Sequence, residues 1–77
     1  MKSVNVCLNS IEKVRGFVGE ITKFDNEFQL VSERYVIDAK SIMGIFSLDL
    51  AKPLCLNILA EENVDHIVEV LSDYIVW

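Results

Sequence analysis

The sequence contains few of the residues that interrupt secondary structure or carry metal and redox chemistry. Its 77 residues include one proline, three glycines, two cysteines and one histidine. Scarce proline and glycine, together with 52% hydrophobic residues, argue against disorder. The cysteines form no Cys-x-x-Cys or Cys-His spacing, so we expect no disulfide framework, no metal site and no cofactor.

Long apolar runs are absent as well. No run reaches the ~20 residues that a membrane-spanning helix needs. The segment Met1-Lys2-Ser3-Val4 lacks the apolar region and the cleavage site of a secretory signal. We therefore expect a cytoplasmic protein that does not bind membranes.

Clustered positive charge is also missing. The formal net charge is -5, and the seven lysines and arginines are scattered along the chain. Nucleic-acid backbones are bound by clustered Lys and Arg side chains, so we expect no nucleic-acid partner. The length predicts a single domain over residues 1–77, because a chain this short buries only about 60% of its unfolded surface.

Alternating apolar residues predict four strands, each with one face against a core. The core-facing residues of these strands are predicted to be Val4, Val6, Leu8, Phe28, Leu30, Tyr35, Ile37, Ala39, Leu54, Leu56 and Ile58. A tight connection, Ser32-Glu33-Arg34, joins the second strand to the third.

Apolar residues at three- and four-residue spacing predict a first helix from Ile11 to Phe24, capped by Ser10, and a last helix capped by Asn63. The core-facing residues of these helices are predicted to be Ile11, Val14, Phe17, Val18, Ile21, Phe24, Val64, Ile67, Val68, Leu71, Tyr74 and Ile75. Gly16 and Gly19 each cost the first helix about 1 kcal/mol relative to alanine. Either another element packs closely against them or the helix frays.

A third, short helix is predicted after Ser41. Its hydroxyl precedes an apolar cluster, where it can accept a hydrogen bond from a free amide two or three residues later. Gly44 and the turn over residues 49–53 limit this helix to two turns. The element order is then β-α-β-β-α-β-α, which predicts an α+β fold with an antiparallel sheet and the helices on one face.

The segment Lys40-Ser41-Ile42-Met43-Gly44, continued by Ser47-Leu48, resembles the regulatory-serine motif of the HPr family. These are small phosphocarrier proteins of the bacterial sugar phosphotransferase system. The resemblance extends without a gap from Lys23 into the strand at residues 54–58. It implies an HPr-like open-faced sandwich, in which a four-stranded antiparallel sheet of order 1-4-2-3 carries three helices on one face.

The same resemblance implies a regulatory phosphorylation site at Ser41. It also implies a partner-binding surface that includes Lys40, Ile42, Met43 and Phe46. Met43 is the best contact candidate among them, because its unbranched thioether adapts to different partners. In the alternative interpretation, Phe46 and Leu48 only hold the short helix on the sheet; we expect Leu48 to be buried and leave Phe46 open.

The histidine of the phosphocarriers has no counterpart here. Family members that carry phosphate have a Gly-Ile-His-Ala-Arg-Pro motif between the first strand and the first helix, whereas residues 8–15 read Leu-Asn-Ser-Ile-Glu-Lys-Val-Arg. Asn9 and Ser10 have no ring nitrogen that can accept and pass on phosphate. His66 is expected on the solvent side of the last helix. We therefore predict no catalytic residue and no enzymatic activity.

Three functions remain open. The first is an HPr-like regulatory or adaptor protein, whose partners by resemblance are a serine kinase/phosphorylase, a transcription regulator or phosphotransferase components. The second is a phosphocarrier with a non-standard acceptor. The third is a scaffold or oligomerisation module that retains an inert motif.

The outer face of the sheet carries the two cysteines. If the first and fourth strands are neighbours, Cys7 and Cys55 lie on this face and could approach each other, although a cytoplasmic disulfide is not expected. With Val31 and Leu59 they form an apolar patch, which would favour weak homodimerisation. Trp77 either covers this patch or extends into solvent.

Overall fold

The computed structural model describes residues 1–33 and 35–76. The elements in chain order are β1 (Lys2–Val6), α1 (Ile11–Ile21), β2 (Glu27–Ser32), β3 (Tyr35–Asp38), α2 (Ile42–Phe46), β4 (Leu54–Leu59), α3 (Val64–Val70) and β5 (Ile75–Val76). The predictions that concern Arg34, in the connection before β3, and Trp77 lie outside the described residues.

The strands form one antiparallel sheet in the order β3-β2-β4-β1-β5. This order contains the predicted 1-4-2-3 arrangement. The prediction of four strands was wrong, because β5 adds a fifth strand beside β1.

The sheet buries one face, as the alternating pattern predicts. In β4, Leu54, Leu56 and Ile58 are buried, while the residues between them are only half-buried. Phe17 of α1, Ile45 of α2 and Ile67 of α3 all belong to the same core. All three helices therefore cover the same face of the sheet.

Helix α1 begins and packs largely as predicted. The Ser10 hydroxyl accepts a hydrogen bond from the Lys13 amide at 3.1 Å, and Phe17 is fully buried. The helix ends at Ile21, three residues before the predicted end. The core position predicted for Ile11 was wrong, because this side chain is 60% exposed. It belongs to the first helical residue and is tilted back past the start of the helix.

The two glycines of α1 have different surroundings. A Cβ atom at Gly16 would collide with the Tyr74 hydroxyl, whereas a Cβ at Gly19 would meet nothing within 4 Å. The Tyr74 ring also packs edge-on against Phe17, with 5.8 Å between the ring centroids. Close packing therefore explains Gly16 and does not explain Gly19.

The C-terminal segment differs most from the prediction. Helix α3 ends at Val70, and the chain then turns so that Ile75 and Val76 pair with β1. The Cys7 amide donates to the Tyr74 carbonyl at 2.8 Å and extends this pairing. The helical positions predicted for Tyr74 and Ile75 were wrong, because the backbone groups along the edge of β1 are satisfied by strand pairing instead.

Two further predictions were wrong in detail. Asn63 makes no side-chain cap, since its backbone is left-handed with φ 63° and ψ 14°, whereas a capping residue is typically extended. Tyr35 is 61% exposed rather than packed in the core. It is the first residue of β3, an edge strand that only β2 flanks among the described elements.

Candidate functional site

Ser41 lies at the start of α2 with an extended backbone, and its side chain is exposed. The hydroxyl accepts a hydrogen bond from the Gly44 amide at 3.2 Å, and the carbonyl accepts one from the Ile45 amide at 3.0 Å. The predicted N-cap is confirmed. The Ile42 and Met43 amides also have no acceptor within the helix. They point out of the N-terminal end of α2, where the Ser41 hydroxyl lies.

The turn before α2 fixes the position of Ser41. The Asp38 carbonyl accepts from the Ser41 amide at 3.0 Å, and the Asp38 carboxylate accepts from the Lys40 amide at 2.9 Å. Asp38 is the last residue of β3. This turn therefore ties the serine directly to the end of the strand.

Gly44 makes the close packing around the hydroxyl possible. A Cβ atom at this position would lie 3.1 Å from Ser41 Oγ and 3.3 Å from Ile37 Cδ1. The Gly44 carbonyl also accepts from the Ser47 hydroxyl at 2.6 Å. Gly44 lowers the helix propensity of α2, as the sequence indicates, but it also leaves room for the capping oxygen.

Lys40 points into the fold rather than towards a partner. Its Nζ donates to the Phe24 carbonyl at 2.6 Å and lies 5.6 Å from the centroid of the Phe28 ring. Lys40 is half-buried. Its ammonium group therefore links the segment after α1 to the turn before α2, and a role in partner binding stays a prediction.

The apolar residues of α2 divide between core and surface. Ile45 is fully buried, whereas Met43 is 78% and Phe46 is 42% exposed. Ile42 and Leu48 are half-buried against the core. Leu48 is therefore less buried than predicted, and Phe46, which the sequence left open, is partly accessible.

The region that corresponds to the missing histidine contains no imidazole. Asn9 is exposed, and the Ser10 hydroxyl is used to cap α1. His66 is exposed on α3, as predicted, with its ring 6.0 Å from the ring of Phe24. Phe24 follows the C-terminal end of α1. The only histidine in the sequence therefore lies near that end of α1 and not near its start, where Asn9 and Ser10 lie.

Cys7 and Cys55 are both free and half-buried. Asn5, and not Cys7, lies opposite Cys55 in the register of β1 and β4. The two cysteines are therefore diagonal neighbours. Residues 1–33 and 35–76 contain no group of three or more His, Cys, Asp or Glu side chains that could hold a metal ion. Within the same residues, no helix has the length and apolar character required to cross a bilayer.

Solved structures with similar folds are phosphocarrier proteins. HPr-C-His from Thermoanaerobacter tengcongensis superposes with a TM-score of 0.76 at 24% identity, covering 95% of this chain and 89% of that chain. The chain has the HPr fold. The phosphocarrier protein HPr from Bacillus anthracis str. Ames gives a TM-score of 0.70 at 26% identity, with 97% of this chain and 94% of that chain covered.

A third similar structure is the histidine-containing phosphocarrier protein of Mycoplasma, with a TM-score of 0.71 at 12% identity. It covers 94% of this chain and 86% of that chain. No protein-family model matches the sequence. No curated protein matches it either. The HPr-like fold expected from the motif around Ser41 is confirmed.

Proposed function

We propose that this protein is a non-enzymatic regulatory or adaptor protein with the HPr fold, which binds partner proteins through α2 and is switched by phosphorylation of Ser41. The observation that carries the proposal is an exposed serine hydroxyl beside a highly exposed apolar side chain. Ser41 begins α2, and Met43, two residues later, is 78% exposed. Ile42 and Phe46 extend the proposed contact surface.

The position of Ser41 allows it to be modified without unfolding the chain. A phosphoryl group carries a charge of about -1.5 to -2 and accepts hydrogen bonds strongly. The Ile42 and Met43 amides have no acceptor within α2 and can donate to it, and the helix dipole favours negative charge at this end. The modified serine therefore keeps its place at the helix start.

The charge of the phosphoryl group would remain exposed to partner proteins rather than being neutralised by Lys40 or by a basic side chain of α2. The nearest lysine in sequence, Lys40, donates its Nζ to the Phe24 carbonyl. Neither end of α2 carries a basic side chain in its terminal turn. Phosphorylation thus adds net negative charge beside the exposed apolar residues. Partners that recognise this surface would bind the two forms with different affinities.

The absence of an imidazole at residues 8–15 supports a regulatory role over phosphate relay. The serine at this position, Ser10, accepts from the Lys13 amide and contributes to helix capping. A serine hydroxyl without an adjacent base is a poor nucleophile at neutral pH. Cytoplasmic location and the partners named from the family resemblance, namely a serine kinase/phosphorylase, a transcription regulator and phosphotransferase components, belong to this proposal.

The test is to incubate the purified chain with ATP and an extract of its source cells, and to map the phosphate by mass spectrometry. We expect an acid-stable phosphoserine at Ser41 that is lost in Ser41→Ala. Ser47→Ala is the matched control, because Ser47 is an exposed hydroxyl at the other end of α2. It should leave the label unchanged.

A second reaction separates regulation from phosphate relay. The chain is incubated with phosphoenolpyruvate and the upstream phosphotransferase proteins. An acid-labile phosphoprotein in this reaction would overturn the proposal in favour of a phosphocarrier with a non-standard acceptor. Absence of label in both reactions, together with a Ser41→Asp variant that assembles like the unmodified chain, would favour a scaffold with an inert motif.

A further inference from the structure

The β3 edge of the sheet has backbone groups that no other strand of the described residues uses. Strand β3 lies at the end of the sheet order. The Ala39 amide donates to the Phe28 carbonyl at 3.0 Å, so odd-numbered positions of this strand direct their backbone groups towards β2. Backbone groups alternate in direction along an antiparallel strand. The amide and carbonyl groups of Val36 and Asp38 therefore point away from the sheet.

Only one residue of this edge offers both groups. The Asp38 carbonyl already accepts from the Ser41 amide at 3.0 Å. Val36 retains its amide and its carbonyl, both directed outward. The free hydrogen-bonding capacity of the edge is thus centred on Val36.

Two of the four side chains of β3 are large, apolar and exposed, whereas Ile37 is half-buried and the exposed Asp38 is acidic. Tyr35 is 61% and Val36 is 59% exposed. Edge strands of natural proteins are commonly protected from pairing by lysine, proline or a bulge. The Tyr-Val-Ile-Asp sequence of β3 has none of these.

A cavity adjoins the edge on the side that faces the helices. It has a volume of about 240 Å³ and is lined by Tyr35, Ile37, Ser47 and Leu48. Its lining combines apolar side-chain surface with the hydroxyls of Tyr35 and Ser47. A side chain from a strand added beyond β3 would lie next to this cavity whenever it stands opposite Ile37.

We propose that β3 is a self-association edge, on which the β3 strand of a second copy of this chain pairs in antiparallel register around a twofold axis at Val36. The Val36 amide of each copy donates to the Val36 carbonyl of the other. Tyr35 of each copy then stands opposite Ile37 of the other, in a pair whose side chains approach closely. Each tyrosine ring meets the cavity of the opposite copy.

The match between the two halves of the edge selects a second copy as the occupant. The outward amide and carbonyl of Val36 would pair with any antiparallel strand, so the choice of a second copy rests on the side chains. The exposed ring of Tyr35 and the cavity beside Ile37 occupy the two positions that this twofold axis brings together. Val36 meets Val36 on the outer face, so that two exposed apolar side chains cover each other.

The size and charge of the chain predict a weak, salt-dependent dimer. An edge of four residues buries less than the roughly 800 Å² per partner of a stable interface. We expect a dissociation constant on the order of 0.1–1 mM. Each copy carries a net charge of -5, so the copies repel one another at low ionic strength. Added salt screens this repulsion and should strengthen the dimer. This dimer requires no phosphorylation of Ser41, so the inference does not depend on the proposed function.

The test is sedimentation equilibrium of the full chain from about 10 µM to about 1 mM, at low and high salt. Val36→Pro removes the outward amide without removing a hydrogen bond to β2, since proline is tolerated where the amide faces solvent. Val36→Lys leaves the backbone intact and places two positive charges at the axis. Both variants should weaken the dimer by at least about tenfold.

Val76→Lys is the matched control. Val76 is 45% exposed and shares the cross-strand row of Val36 on the outer face, but it lies on the opposite edge in β5. At high salt, where the repulsion between copies is screened, it should leave the dimer unchanged. Amide exchange gives an independent readout, because protection of the Val36 amide should rise with the concentration of the unmodified chain.

Three results would overturn the proposal. The first is a chain that stays monomeric at about 1 mM in high salt, in which case this edge stays uncovered or takes a strand from another protein. The second is a dimer that both Val36 variants retain at full strength. The third is a dimer that Val76→Lys abolishes, because its interface would then include the outer face of the sheet or the β5 edge.

Discussion

The starts of α1 and α2 use the same capping chemistry in different surroundings. Ser10 and Ser41 both have an extended backbone and accept from the amide three residues later, at 3.1 Å and 3.2 Å. Helix α1 continues for 11 residues and buries three side chains, whereas α2 has five residues and buries only one. A capping serine by itself therefore does not identify a functional site.

The surroundings separate the two serines. The Ser10 side chain is half-buried, whereas Ser41 is exposed and is followed by Met43 at 78% exposure. Gly44 leaves room beside the Ser41 hydroxyl, and the turn at Asp38 ties it to β3. Accessibility and neighbouring apolar surface, rather than the cap itself, therefore make α2 the better candidate.

The largest expected effect concerns the glycines of α1. Gly16→Ala should destabilise the fold by about 1–2 kcal/mol, because the cost of displacing the Tyr74 hydroxyl exceeds the gain in helix propensity. Gly19→Ala faces open space and should stabilise the fold by about 0.5–1 kcal/mol through helix propensity. Urea unfolding of both variants measures the difference. Equal changes would contradict the packing of Tyr74 on α1.

The next largest effect is expected at Lys40, whose side chain links the segment after α1 to the turn before α2. Lys40→Met keeps the apolar stem but removes the bond to the Phe24 carbonyl, so it should cost about 1–3 kcal/mol. Lys23→Met is the control, because the Lys23 side chain is 69% exposed and pairs with Glu20 on the surface. That change should cost less than about 1 kcal/mol. Thermal unfolding that ranks the two variants in the opposite order would refute a structural role for Lys40.

The two caps provide a direct comparison. Ser10→Ala and Ser41→Ala should each cost about 1 kcal/mol, since each leaves one amide without its acceptor. Chemical unfolding measures both values. If only Ser10→Ala destabilises the fold, the short helix α2 does not depend on its cap, and the geometry around Ser41 must be maintained by the Asp38 turn alone.

The smallest effects are expected at exposed apolar residues near the two helix starts. Ile11 is 60% and Met43 is 78% exposed, so lysine at either position should change the free energy of unfolding by no more than about 0.5 kcal/mol. Denaturant titration is sufficient to measure this. A loss of several kcal/mol of stability in Ile11→Lys would instead support the core position that helical spacing predicted for Ile11.

Sequence periodicity predicted the parts of the fold that are long enough to show a period. Alternation predicts four strands and the core-facing residues of β4. Helical spacing and capping residues predict where the three helices start, and capping chemistry is confirmed at Ser10 and Ser41 but not at Asn63. The fifth strand could not be found in this way, because two residues carry no period. Ile67, Leu71 and Ile75 also keep helical spacing across the turn after Val70, with no glycine or proline to mark the end of α3.

Only part of the candidate site could be predicted, because sequence patterns report relations between residues that are close in the chain. The hydroxyl of Ser41 is a local feature, since its acceptor role depends on an amide three residues away. The direction of Lys40 depends on Phe24, which is 16 residues away in the chain. The exposure of Tyr35 depends on β3 lying at the sheet edge. Local patterns in a sequence do not contain such long-range relations.

The pairing of β1 determines when the chain can finish folding. This strand, at residues 2–6, pairs on one side with β4 and on the other with β5, at residues 75–76. Strand β1 leaves the ribosome before β4 and β5, so it must wait for both partners, and residues far apart in the chain have to meet before the sheet is complete. Nascent chains of this protein should thus become resistant to protease only after β5 has been synthesised and has left the ribosomal tunnel.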